Sequence, residues 1–322
     1  MTYLTECNEF TACKKLVANN MRSPICLLET QIAGAPFNVA PEKSNRCAQN
    51  RDDHKIECIM VDEPKFGVRV RLSTKNKTPE IVLPIASLEY LWAFSLYCWV
   101  LIQEYATAQR AGESQFDCLG NQRITESADI LQWAKSNMLD SGTDPWPESG
   151  PRPVQDLHSV DDSRVATELF LCAIAWIMHH EIAHVVLGHP LITTVFSEQE
   201  EQEADRFATE WLLDGLPKND PKLKKRALGL TVAVLCLQSL EVGTTSCLRN
   251  THPAAHDRIF NSTSIYQVGD DEVVQATCTV VLQYLFHDTG ITANIDGETF
   301  SDILGDILID ISRSKSRSQQ LI

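Results

Sequence analysis

Residues 169–189 read LFLCAIAWIMHHEIAHVVLGH, an apolar run followed by His180, Glu181 and His184 in the order H-E-x-x-H. The apolar run predicts a buried helix, and a helix places residues four apart nearly above one another. His180 and His184 can therefore aim two imidazoles at one ion. Glu181, about 100° round the same turn, stands beside that ion without having to bind it. Two neutral nitrogens to hold a metal and a carboxylate to take a proton from water form the set a zinc hydrolase needs. Two histidines and a glutamate ending an apolar helix are costly unless they find partners, which argues against their being ordinary core residues. A third histidine at the metzincin spacing would fall on Pro190, which excludes that class. Gly188 reads as a helix C-cap, so His189 just past it reads as a cap or loop residue. His179 points about 100° away from His180.

A third ligand is expected downstream, on the acidic stretch SEQEEQEADRFATEWLLDG at residues 197–215. Ser197 and Glu200 form an S-x-x-E capping box, and Gly215 closes the helix. Ala204, Phe207, Ala208, Trp211 and Leu212 fall on one arc and predict an inward face. Glu200 and Glu201 both flank that arc, so periodicity leaves both open as ligands. Glu201 has Asp205 one turn on, able to accept the outer N–H of a ligating histidine. Glu198 and Glu203 read as a solvated acidic first turn that suits the helix dipole.

HHEIAHVVLGH followed by EQEADRFA resembles the gluzincin metallopeptidases, whose second motif is E-x-x-A-D or E-x-x-A-N. The resemblance places the glutamate ligand on Glu201 and the supporting aspartate on Asp205. It implies Zn2+ held by His180, His184 and Glu201, with Glu181 as general base. A third segment, THPAAHDRI at residues 251–259, is similar to a T-H-P-x-x-x-x-R-I segment of several such enzymes. It implies that His252 lies near the metal or the oxyanion, with Arg258 as its companion. Two branches fit: the Lit-like phage-exclusion peptidases and the ImmA/IrrE-type proteases that cut repressors. The His-Pro segment and the aromatic helix near residue 90 look more like the Lit-like group. The resemblance spans residues 165–260. It implies a cytoplasmic endopeptidase acting on one cytosolic protein, a translation factor in the Lit-like group, and quiet until a phage or partner protein activates it. An ImmA-like repressor-cleaving protease is the alternative enzyme. A zinc-stabilised binding protein without turnover is the alternative from another class.

Composition sets the frame. With 322 residues, 43% hydrophobic and 22% charged, the chain can bury a large core. A net charge of −15 argues against a nucleic-acid surface. Eleven scattered cysteines without a C-x-x-C predict neither a disulfide framework nor a cysteine zinc site, and fit a reducing cytosol. The N-terminus has acidic residues and no apolar h-region, so no export is expected.

The expected fold class is α+β, mostly helical: a zincin core with a small antiparallel sheet beside the H-E-x-x-H helix. Residues 1–50 read as an irregular segment, a short helix and then loop, because Pro24, Pro36 and Pro41 break long elements. Residues 51–140 carry three β-branched runs, IECIMV, FGVRVRLS and EIVLP, read as an antiparallel meander, and then helices at 87–110 and 125–138. An edge of that sheet could hold an extended peptide. The apolar run 91–102 is shorter than the roughly twenty residues of a membrane span, so it reads as a buried helix and no membrane is expected. Residues 141–162 form a Pro-rich loop, read as a flap candidate by position. Residues 163–322 hold the two motif helices, an apolar helix at 227–240 and helices near 271–286 and 299–312, packed as one unit with 51–140.

Overall fold

The computed structural model describes residues 23–63, 67–113, 116–118, 120–139, 144–156, 158, 161–191, 196–243, 258, 261, 272–286 and 299–319. It is mostly helical, with one small sheet. The loop expected up to Arg51 is instead two short helices, α1 (Glu29–Asn38) and α2 (Ser44–His54), each preceded by a 3-10 turn. The prolines explain the difference. Pro24 and Pro41 stand at the first position of the 3-10 turns, where a missing N–H costs nothing, and only Pro36 falls inside a helix.

The three strands are β1 (Glu57–Val61), β2 (Arg69–Leu72) and β3 (Pro79–Pro84). Their order is β1-β3-β2, with β1 parallel and β2 antiparallel to β3, so the sheet is mixed rather than an antiparallel meander. Side chains explain the order. A central strand is covered on both faces, and β3 is buried from Glu80 through Pro84. β2 carries Arg69 and Arg71, which salt-bridge to Glu63 and Glu80 and suit an edge.

β3 runs straight into α3 (Ile85–Ala111), which packs against α4 (Gln122–Leu139). The loop before the motif helix is pinned by Trp146, whose ring lies 5.6 Å from Trp92 and 4.8 Å from Trp133 and whose N–H donates to the Pro151 carbonyl. Then comes α5 (Asp162–Val186), N-capped by Asp161, whose carboxylate accepts the Arg164 N–H. α5 is the hub. It touches α1, α2, α3, β2, β3, α6 (Glu198–Leu213) and α7 (Pro221–Gly243), which explains why it is apolar on nearly all sides. α7 also packs on α8 (Glu272–Phe286), which carries α9 (Phe300–Gln319). By length and composition α3 and α5 could each cross a membrane, but 89% and 78% of their apolar windows are buried inside the protein. None of the eight described cysteines is in a disulfide.

Candidate active site

The C-terminal end of α5 and the first turns of α6 lie against each other, and their side chains meet at one buried point. His180 Nε2 and His184 Nε2 are 3.1 Å apart. Glu201 sends Oε2 to within 3.4 Å of the first and Oε1 to within 3.7 Å of the second. Nitrogen and oxygen ligands about 2.0–2.1 Å from a tetrahedral ion stand roughly 3.3 Å from one another, so these spacings fit one shared ion. All three residues are buried. The choice between neighbouring glutamates has a local cause. Glu200 is spent on the cap, accepting the Ser197 N–H at 2.6 Å while its own N–H donates to Ser197 Oγ. Glu201, about 100° further round, faces the histidines.

The outer atoms of this group are held as well. His180 Nδ1 is 2.9 Å from Asp205 Oδ1, and Arg258 grips both Asp205 oxygens at 2.7 and 2.5 Å. The Arg258 guanidinium lies 5.4 Å from the centre of the Trp176 ring. Burial pushes the His180 imidazole down, but hydrogen bonds to Asp205 and Glu201 outweigh it and raise it to about 9. Two imidazoles and a carboxylate, all buried and within reach of one point, are a donor set that suits a divalent cation. Asp205 is pushed up by burial, yet the Arg258 charge and the His180 hydrogen bond hold it below the usual carboxylate range.

Glu181 does not join the three. Its Oε2 accepts the Val70 N–H at 2.7 Å, so the motif glutamate is tied to the outer strand β2. His179 turns away as expected. Its Nε2 is 3.1 Å from the Pro36 carbonyl, its ring stacks on Trp211, and burial lowers it to about 3, so it is a neutral core residue. His252 lies outside the described residues, while Arg258 is placed on Asp205.

Two residues read from sequence as cap and solvated acid belong to the site's surroundings. His189 Nδ1 is 2.8 Å from His184 Nδ1, and His189 Nε2 is 3.2 Å from Glu203 Oε2. Phe196 stacks flat on His184, centroids 3.7 Å apart. The only signal in the sequence was Gly188, whose cap geometry decides where His189 points.

Two histidines and a glutamate that meet at one buried point could hold a metal ion, and the family comparison supplies the class of protein, a peptidase. The profile of the Peptidase U49 family matches residues 81–278, and the chain belongs to that family. It is 53% identical to the cell death peptidase of Escherichia coli (strain K12) over 296 residues, covering 92% of this chain and 100% of that protein. Of the two branches weighed from the motifs, the match falls on the Lit-like one. No solved structure matches.

Proposed function

We propose that the chain is a zinc-dependent endopeptidase, built on a minimal gluzincin core, that hydrolyses a peptide bond in a specific cytosolic protein. One observation carries this reading: His180, His184 and Glu201 converge on a single point in a peptidase-family chain, with Glu181 beside them. When bound, Zn2+ supplies Lewis acidity to the scissile carbonyl and makes water easier to deprotonate. His180, His184 and Glu201 would hold it. Asp205, neutralised by Arg258, keeps the His180 proton on Nδ1 and leaves the Nε2 lone pair for the metal. Glu181 takes the proton of the attacking water and delivers it to the leaving amine. The Val70 N–H orients that carboxylate. His252 is assigned to the oxyanion, or to the metal in a resting state, on its sequence position alone.

Substrate binding along β2 is supported by its place as the outer strand next to α5, where an extended peptide can add main-chain hydrogen bonds. The Escherichia coli relative is named a cell death peptidase, which supports a role in which cleavage disables the cell; a cytoplasmic location rests on the scattered cysteines of the sequence. The Lit-like resemblance extends this to phage exclusion, with a translation factor as substrate and a phage protein as activator. The test is to map new protein N-termini in cells expressing the wild type and Glu181→Gln. Wild type should generate a specific cleaved fragment. The variant should generate none while binding metal as before, and retained hydrolysis would remove Glu181 from its role.

A further inference from the structure

Resting on the metal-site reading above, we infer that His189 is a positioning residue for the ligand His184, acting as the acceptor that fixes its tautomer, with Glu203 fixing His189 in turn. His184 offers Nε2 to the shared point, so that nitrogen must carry a lone pair. A neutral imidazole has one N–H, which must then sit on Nδ1. That N–H has a neighbour at 2.8 Å, the Nδ1 of His189, and two ring nitrogens this close that share no ion require one donor and one acceptor. His189 Nδ1 is therefore the acceptor, its own proton is on Nε2, and Nε2–H donates to Glu203 Oε2 at 3.2 Å. Every position in the series is determined once the first is set.

The backbone is built to deliver this contact. Gly188, at φ +76°, ends α5 in a left-handed turn whose N–H groups close back on the helix: Gly188 to the Val185 carbonyl and His189 to the His184 carbonyl. That turn brings His189 back to the ring of His184, five residues earlier. Both rings are buried, so an apolar side chain at 189 would withdraw the acceptor now 2.8 Å from His184 Nδ1 without putting bulk water in its place. The two ligands are thus supported differently, His180 by a charged carboxylate and His184 by a neutral imidazole. Glu203, half exposed, is the weaker end of the series because water can replace it.

Zn2+ titration in competition with a chromophoric chelator, together with the Co2+ d–d spectrum, tests this on full-length protein. Thermal melting without metal checks that each variant is folded. His189→Leu removes the acceptor and should weaken Zn2+ binding about 10–100-fold and perturb the Co2+ spectrum. His189→Asn places Oδ1 where the Nδ1 acceptor stood and should bind within about threefold of wild type, as should Glu203→Ala. Wild-type affinity and spectrum in folded His189→Leu would overturn the inference, and so would equal weakening in the leucine and asparagine variants. A wild-type protein that binds neither ion would instead remove the metal reading itself.

Discussion

Glu89 shows how much a single buried charge can weigh. It sits on the apolar helix α3, where burial raises its carboxyl to about 7 despite a hydrogen bond from Ser23. A carboxyl with a folded pKa above its unfolded one favours the fold only while protonated. Its contribution is full below about pH 4.5 and is lost as pH rises through 7. At pH 8 the ionised form costs on the order of 3 kcal/mol. Glu89→Gln should therefore melt higher than wild type at pH 8, with the advantage shrinking toward pH 5. A pH-independent difference would contradict this. The same scale shows what sequence can reveal about the site. His180 and His184 are legible because both lie on one helix four residues apart. Glu200 and Glu201 are not separable by periodicity, since both flank the buried arc; Asp205 one turn on and the family motif favour Glu201, and the capping box is what occupies Glu200. His189 and Glu203 were out of reach because their contact joins two helices through a left-handed turn.

At the scale of elements, the close approach of α5 and α7 is set by a missing side chain. A Cβ on Gly229 would lie 2.2 Å from the Cys172 Cβ and 3.2 Å from the Ala173 nitrogen. Neither neighbour is a flexible tip that could swing aside, so the helices would have to part. Gly229→Ala should destabilise by about 1–3 kcal/mol, more than the roughly 1 kcal/mol gained in helix propensity. Thermal melting measures it, and a rise in Tm would mean the helices yield freely. The long helices were readable because apolar runs bounded by caps need little tertiary context. Strand order was not read from alternation, although the signal was present in side-chain chemistry: EIVLP is apolar enough for a centre and RVRL charged enough for an edge. Of the N-terminal prolines expected to break elements, Pro24 and Pro41 start them instead, because a first-turn N–H has no helical partner to lose.

Across the whole molecule, one apolar cluster runs from Ile25 to Ile311, and α5 passes through it. The consequence is a site whose ligand-bearing helix is held on many sides. The polar end of that helix faces α6 on one flank and β2 on another, so two histidines, one glutamate and the separate Glu181 are placed by packing rather than by loops. The central claim is that these ligands are made to share an ion. The most direct measurement is the zinc content of purified protein by mass spectrometry, for wild type, Glu201→Gln and Glu200→Gln. One equivalent in wild type and in Glu200→Gln, with a clear loss in folded Glu201→Gln, is the predicted result; a metal-free wild type after incubation with Zn2+, or full occupancy in Glu201→Gln, would contradict it.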